Sequence, residues 1–216
     1  MTGNRSAHHD ILPPYNLRAA VRHLKRSDAT LAAMVERIGP CRLHLYERRN
    51  PFEALLRSIV HQQLSGKAAA TIHARLVALL PHGLTAGHLL ELPERALRGA
   101  GLSRNKVLAV RDLAHKTLAG VVPGQGGLDG LHDDEIVERL IAVRGVGRWT
   151  VEMLLIFTLG RPDVLPLDDL GVRKGFRVTY GMKRLPAAST LRRTARCWAP
   201  YRSVASWYLW RAAELG

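Results

Sequence analysis

The chain has 216 residues, with 32 Lys and Arg against 18 Asp and Glu and a formal net charge of +14, a length that accommodates one large or two small domains. At 47% hydrophobic and 23% charged it is too apolar for intrinsic disorder, Met1 to Tyr15 has no hydrophobic signal-peptide centre, and no apolar run reaches the roughly 20 residues that cross a bilayer. A soluble, cytoplasmic protein is therefore expected, and two cysteines, Cys41 and Cys197, are too few for a disulfide scaffold, a four-cysteine zinc site or a four-cysteine iron–sulfur cluster.

Residues 1–14 are expected to be loose, and the rest of the first 50 are helix-patterned. Phe52, Leu55, Leu56, Ile59 and Val60 then make one buried helical stripe. Ser65 can cap a helix carrying Ala68, Ala69, Ile72, Leu76, Leu79 and Leu80, which Pro81 and Gly83 stop. Pro93 suits a first helical turn, with Gly99 and Gly101 at the exit, and Ser103 caps a helix to about Gly120. Val121 to Gly130 holds Pro123 and four glycines and reads as a weakly ordered loop, after which Asp133 caps a helix toward Ala142. No segment alternates like a strand between hairpin turns, so the fold class is all-α.

Residues 1–50 carry +5, residues 51–160 carry +2 and residues 161–216 carry +7. Basic ends around a near-neutral middle suit a phosphate-facing surface, although 26 Arg against 6 Lys also fits a compositional bias. In Ile141-Ala142-Val143-Arg144-Gly145-Val146-Gly147-Arg148-Trp149-Thr150-Val151 a helix ends, two glycines permit a tight turn with positive φ, and an apolar helix begins that runs through Leu155, Ile156 and Leu159. This helix-hairpin-helix can lay backbone N–H groups against a DNA phosphate, a contact blind to sequence. Alone, Gly-x-Gly between helices reads more readily as a plain connection with glycine as C-cap. Some 20 residues on, Leu165-Pro166-Leu167-Asp168-Asp169 precedes another helix, where either Asp alone reads as an N-cap.

Together these segments resemble the helix-hairpin-helix DNA glycosylase superfamily, which includes endonuclease III and 8-oxoguanine glycosylase. Within it the sequence most resembles the alkylation-repair branch, DNA-3-methyladenine glycosylase II. The resemblance rests on Ile59-Val60-His61-Gln62-Gln63-Leu64-Ser65, Gly101-Leu102-Ser103-Arg104-Asn105-Lys106, Arg144 to Thr150, Leu165 to Asp169, and Trp198-Ala199-Pro200-Tyr201-Arg202-Ser203 with Trp207-Tyr208-Leu209-Trp210, in family order from about residue 50 onward. It implies a two-lobed helical architecture with the active cleft between the lobes. Residues 51–161 would form the central lobe with the hairpin at about 141–152, and residues 1–50 with 162–216 a discontinuous second lobe.

The implied activity is base excision repair. A monomeric, monofunctional enzyme would bind damaged double-stranded DNA, flip out an alkylated purine, hydrolyse its N-glycosidic bond and leave an abasic site. Asp169 matches the catalytic aspartate and Asp168 would orient or cap. Trp149 and Trp210 match aromatic base-pocket positions, with Met153 where some relatives carry a tyrosine, although Trp210 alone also reads as core. Gln62 and Gln63 fall at the junction inserted into DNA, or satisfy exposed helix ends. Gly145, Gly147, Arg148, Thr150 and Lys67 would contact phosphates. The carbonyls of Ile141, Val143 and Val146 would hold Na+ or K+, with no cofactor required and neither zinc nor an iron–sulfur cluster. Trp149 replaces the lysine nucleophile of the bifunctional branches, so no lyase activity is implied. A glycosylase for an oxidised or deaminated purine, or a non-catalytic hairpin module, are the other readings.

Overall fold

The computed structural model describes residues 11–46 and 50–216. Twelve α-helices follow in chain order: α1 (Leu17–Ser27), α2 (Ala29–Ile38), α3 (Pro51–His61), α4 (Gly66–Ala78), α5 (Ala86–Glu91), α6 (Glu94–Gly99), α7 (Arg104–Leu118), α8 (Asp133–Leu140), α9 (Arg148–Phe157), α10 (Leu170–Thr179), α11 (Ala188–Thr194) and α12 (Arg202–Ala213), with a 3-10 turn at Ala195–Trp198. Among the described residues there is no strand, only an isolated bridge between Ile11 and Leu45. The chain divides into two compact units, Arg48–Leu154 and Met1–Glu47 with Leu155–Gly216.

In the first of these units most of the expected apolar positions pack inward, but α4 ends at Ala78 and Ala68 and Leu79 of its expected stripe are exposed. Leu55, Leu56 and Ile59 of α3, Leu76 of α4, Leu89 of α5, Leu97 of α6 and Val110 and Leu113 of α7 are all fully buried. Ser65 accepts from the Ala68 N–H at 3.4 Å and Ser103 from the Lys106 N–H at 3.3 Å, capping α4 and α7. Asp133 does not cap α8. The cap is His132, whose backbone N–H donates to the Glu135 carboxylate at 2.8 Å, and Asp133 is the first helical residue. The Asp133-Asp134-Glu135 run is instead a first-turn charge set that suits the helix dipole.

The loop after α7 is irregular but anchored. Arg139 donates to the carbonyls of Val121 at 2.7 Å and Gly120 at 2.5 Å, and Val122 and Leu128 are buried.

In the other unit α10 packs along α12, and Phe176, Trp198, Tyr208 and Leu209 fill the core. Asp28 caps α2 through the Leu31 N–H at 2.9 Å and accepts from Trp198 Nε1 at 2.9 Å and from the Tyr180 hydroxyl, tying α2 to α10 and the 3-10 turn. Of the residues expected to be loose, 1–10 lie outside the described residues. Residues 11–14 are held, since Leu45 N donates to Ile11 O at 2.7 Å and Pro13 is buried.

Candidate active site

Two surface turns of unit 48–154 carry the expected DNA contacts. The hairpin lies between α8 and α9. Gly145 has φ +77°, which favours glycine, and a Cβ there would only touch that of Ala109, at 3.4 Å. Gly147 departs from the expectation: its φ is not positive and a Cβ would meet nothing within 4 Å. Neither backbone strain nor packing within the chain demands glycine there, which leaves the bare, exposed backbone as its contribution. Arg148 is 57% exposed, with loose ion pairs to Asp134 at 3.8 Å and Glu152 at 3.9 Å. Lys67 is exposed in the first turn of α4. Thr150 is buried, at 4% exposure.

The turn from α3 to α4 separates the two glutamines. Gln62 ends α3 and its Nε2 donates to the Gly145 carbonyl at 2.8 Å, so this side chain is committed within the unit. Gln63 is exposed at φ +58°, the one non-glycine with positive φ among the described residues. Lys106 donates to the carbonyls of Val60 at 2.6 Å and Gln62 at 2.8 Å, and burial lowers its pKa. On the far side of the hairpin, Asp112 accepts from the Arg144 backbone N–H at 2.7 Å and from Lys116 at 2.8 and 3.0 Å. Burial pushes the Asp112 carboxyl upward, but those hydrogen bonds and the charges of Lys116 and Arg144 outweigh it and hold the pKa below the ordinary value.

The carboxylate centre lies in the other unit. Asp168 is exposed and Asp169 only 8% exposed. The expectation that Asp168 caps is overturned: Asp169 is the N-cap of α10, its Oδ1 accepting from the Val172 N–H at 2.7 Å. The same Oδ1 accepts from the indole Nε1 of Trp210 at 2.8 Å. Trp210 is therefore half-buried with its polar edge on the carboxylate, while the neighbouring Tyr208 is the core residue.

Backbone proximity makes this pair possible. A Cβ on Gly171 would fall 2.7 Å from Trp210 Cδ1, and one on Gly175 would fall 1.8 Å from the Leu209 carbonyl oxygen. These glycines, four apart on α10, let α12 come close enough for its tryptophan to reach Asp169.

Upstream, Arg202 clamps Asp163 through two hydrogen bonds of 2.7 Å, and Ser203 accepts from the Val164 N–H at 2.9 Å, fixing the segment that leads into Asp169.

Trp149 is 47% exposed and Met153 half-buried, one turn apart on α9. α9 ends at Phe157, so Leu159 falls outside the helix in which it was expected. Phe157 was missed by the sequence reading. Its ring lies 5.5 Å from that of Trp210 and 5.6 Å from that of Tyr46, a row of three aromatics leading from Asp169. The available signal was spacing, since Trp149, Met153 and Phe157 recur every four residues and share one helix face.

Residues 56–200 match the HhH-GPD superfamily of base excision DNA repair proteins, over the stretch that carries both surface turns and Asp169. The chain belongs to this superfamily. It is 34% identical to DNA-3-methyladenine glycosylase 1 of Schizosaccharomyces pombe over 203 residues, which covers 93% of this chain and 89% of that protein. The structure of the S. pombe 3-methyladenine DNA glycosylase in complex with abasic DNA superposes with a TM-score of 0.78, at 34% identity, covering 89% of this chain and 95% of that one. A DNA-3-methyladenine glycosidase from Bacillus halodurans superposes at 0.82, with 35% identity and coverages of 90% and 88%. As a member of the HhH-GPD superfamily the chain has the all-α fold of these repair proteins. Among its described residues no group of three or more His, Cys, Asp or Glu could hold a metal ion, and no helix is long and apolar enough to cross a membrane.

Proposed function

We propose that the protein is a monofunctional DNA glycosylase that hydrolyses the N-glycosidic bond of alkylated purines, of the 3-methyladenine and 7-methylguanine type, in duplex DNA. The observation that carries this reading is Asp169, a buried carboxylate oriented through one oxygen by a helix N–H and by Trp210. A module that only gripped phosphates would have no use for that pair.

The chemistry follows from charge. As the C1′–N bond lengthens, its electrons leave with the base, whose positive alkylated ring becomes neutral, and the sugar takes up positive charge. A carboxylate beside the sugar stabilises that charge, and water adds its hydroxyl to C1′ while its proton passes to the Asp169 carboxylate and on to solvent. The aromatic faces of Trp210 and Phe157 suit a cationic purine because their electron-rich rings attract it, and the exposed ring of Trp149 has the same chemistry. The hairpin backbone around Gly145 and Gly147, with Arg148 and Lys67, would hold the DNA phosphates. Gln63 would fill the gap left by the flipped nucleotide.

Cation binding at the hairpin fits the donors present. The carbonyls of Ile141, Val143 and Val146 are neutral oxygen donors, a set suited to Na+ or K+ more than to a transition metal. The Val143 oxygen already accepts from the Val146 N–H at 3.0 Å and retains a second lone pair. A bound cation would supply positive charge beside a phosphate.

Absence of lyase activity is part of the proposal, since Trp149 follows Arg148 where a lysine nucleophile would stand. Incubation with methylated duplex DNA should release free methylated purines and leave abasic sites. Borohydride treatment should trap no covalent protein–DNA adduct, and a clear adduct would refute the monofunctional assignment. Release of oxidised or deaminated purines in preference would redirect the substrate.

A further inference from the structure

We infer that α7 is a splint that fixes the α3–α4 turn against the hairpin, and that Gln62 and Lys106 are positioning residues for base extrusion. The inference rests on the proposed glycosylase reading and extends it to how phosphate grip reaches the inserted residue. Gln62 and Gly145 are 83 residues apart in sequence, so tertiary contacts alone set the separation of the two turns.

Those contacts come from one face of α7. Lys106 takes the free carbonyls of Val60 and Gln62 at the end of α3. One turn on, the Ala109 methyl lies against the place where Gly145 lacks a Cβ. Asp112 then receives the Arg144 N–H, and Lys116 bridges Asp112 to the Ala142 carbonyl at 2.5 Å. Residues 106, 109, 112 and 116 recur at helical spacing and so share a face. The loop is closed by Gln62, whose backbone carbonyl is held by Lys106 and whose amide holds the hairpin.

Gln63 sits inside this frame. Its neighbours on both sides are hydrogen-bonded, Gln62 through the bonds above and Leu64 through its N–H to His61 O at 3.3 Å. The left-handed conformation of Gln63 is thereby bracketed by Gln62, which also touches the hairpin and α7, and by the Leu64–His61 turn. A phosphate held by the hairpin fixes the depth at which Gln63 meets the base stack, so binding energy from the backbone can be used to extrude the base.

The test compares single-turnover base release from a methylated purine in a paired duplex and from the same lesion opposite an abasic gap, where extrusion needs little unpairing. Gln62→Ala and Lys106→Met should lower the paired-to-unpaired rate ratio about five- to tenfold, the scale of one lost hydrogen bond. The loss should appear in the maximal rate more than in half-saturation, and Lys106→Arg should recover most of it.

A 2-aminopurine fluorescence readout of extrusion, which needs no bond cleavage, should fall in parallel. Equal losses on both duplexes, or none, would overturn the inference. Gln62→Ala leaves the Lys106 contacts to the α3 carbonyls in place, so it decides the matter if Lys106→Met does not fold. Wild-type protein that extrudes 2-aminopurine but releases no base would refute the glycosylase reading and leave the splint standing.

Discussion

Replacement of Asp169 by Asn separates charge from shape. Oδ1 accepts both local hydrogen bonds, from Val172 N at 2.7 Å and Trp210 Nε1 at 2.8 Å, and the Asn carbonyl can accept the same two. What is lost is charge assistance, from about 1.5–3 to about 0.5–1.5 kcal/mol per bond, or about 2 kcal/mol for the pair. For a chain of this size that lowers Tm by about 4–8 °C, and the protein stays folded. The catalytic cost is larger. A carboxylate about 4 Å from the developing sugar cation, at an effective dielectric of about 20, contributes about 4 kcal/mol, or about a thousandfold in rate. Single-turnover release of methylated bases, measured beside affinity for an abasic duplex, should show the rate fall while affinity stays within a few fold. Asp168→Asn, at an exposed position, should change neither. A rate for Asp169→Asn within tenfold of wild type would refute the assignment.

Other expected outcomes follow from the same geometry. Trp210→Phe keeps a ring but removes the indole donor to Asp169, and base release should slow about tenfold with little change in DNA affinity. Gly145→Ala should cost about 1–2 kcal/mol by thermal unfolding, because of its positive φ. Gly147→Ala should leave Tm unchanged and weaken DNA binding about tenfold, and a Tm loss there with normal affinity would reverse the roles of the two glycines. Asp112 is held below its ordinary 3.8 in the folded protein, so its stabilising contribution is complete above that value and is lost as pH falls through the lower folded value. Asp112→Asn should therefore be less stable than wild type in urea at pH 7, with the difference shrinking below about pH 4.

The sequence revealed α3 through its apolar stripe and α4 and α7 through their Ser caps, because burial and capping there act through neighbouring residues. It misread caps where two carboxylates or a His–Asp pair compete. Which of Asp168 and Asp169 turns inward depends on Trp210, 41 residues away from Asp169. For the same reason Gln62 and Gln63 looked equivalent until the hairpin carbonyl claimed one of them. Asp169, Trp210 and the hairpin were legible through the family resemblance. Phe157, Tyr46 and the Gly171–Gly175 pair were not, since aromatic contact across elements and backbone approach leave only a faint spacing signal.

The close crossing of α10 and α12 has a consequence for how such a site can change. Where backbone meets backbone, as at Gly175 and Leu209, the interval between two helices depends little on side-chain volume or rotamer hopping. The reach of Trp210 to Asp169 inherits that constancy. Side chains outside this crossing can therefore be exchanged in evolution or by design without retuning the carboxylate. Gly175 is the opposite kind of position, where adding a single methyl group would disturb the Asp169–Trp210 pair without touching either residue.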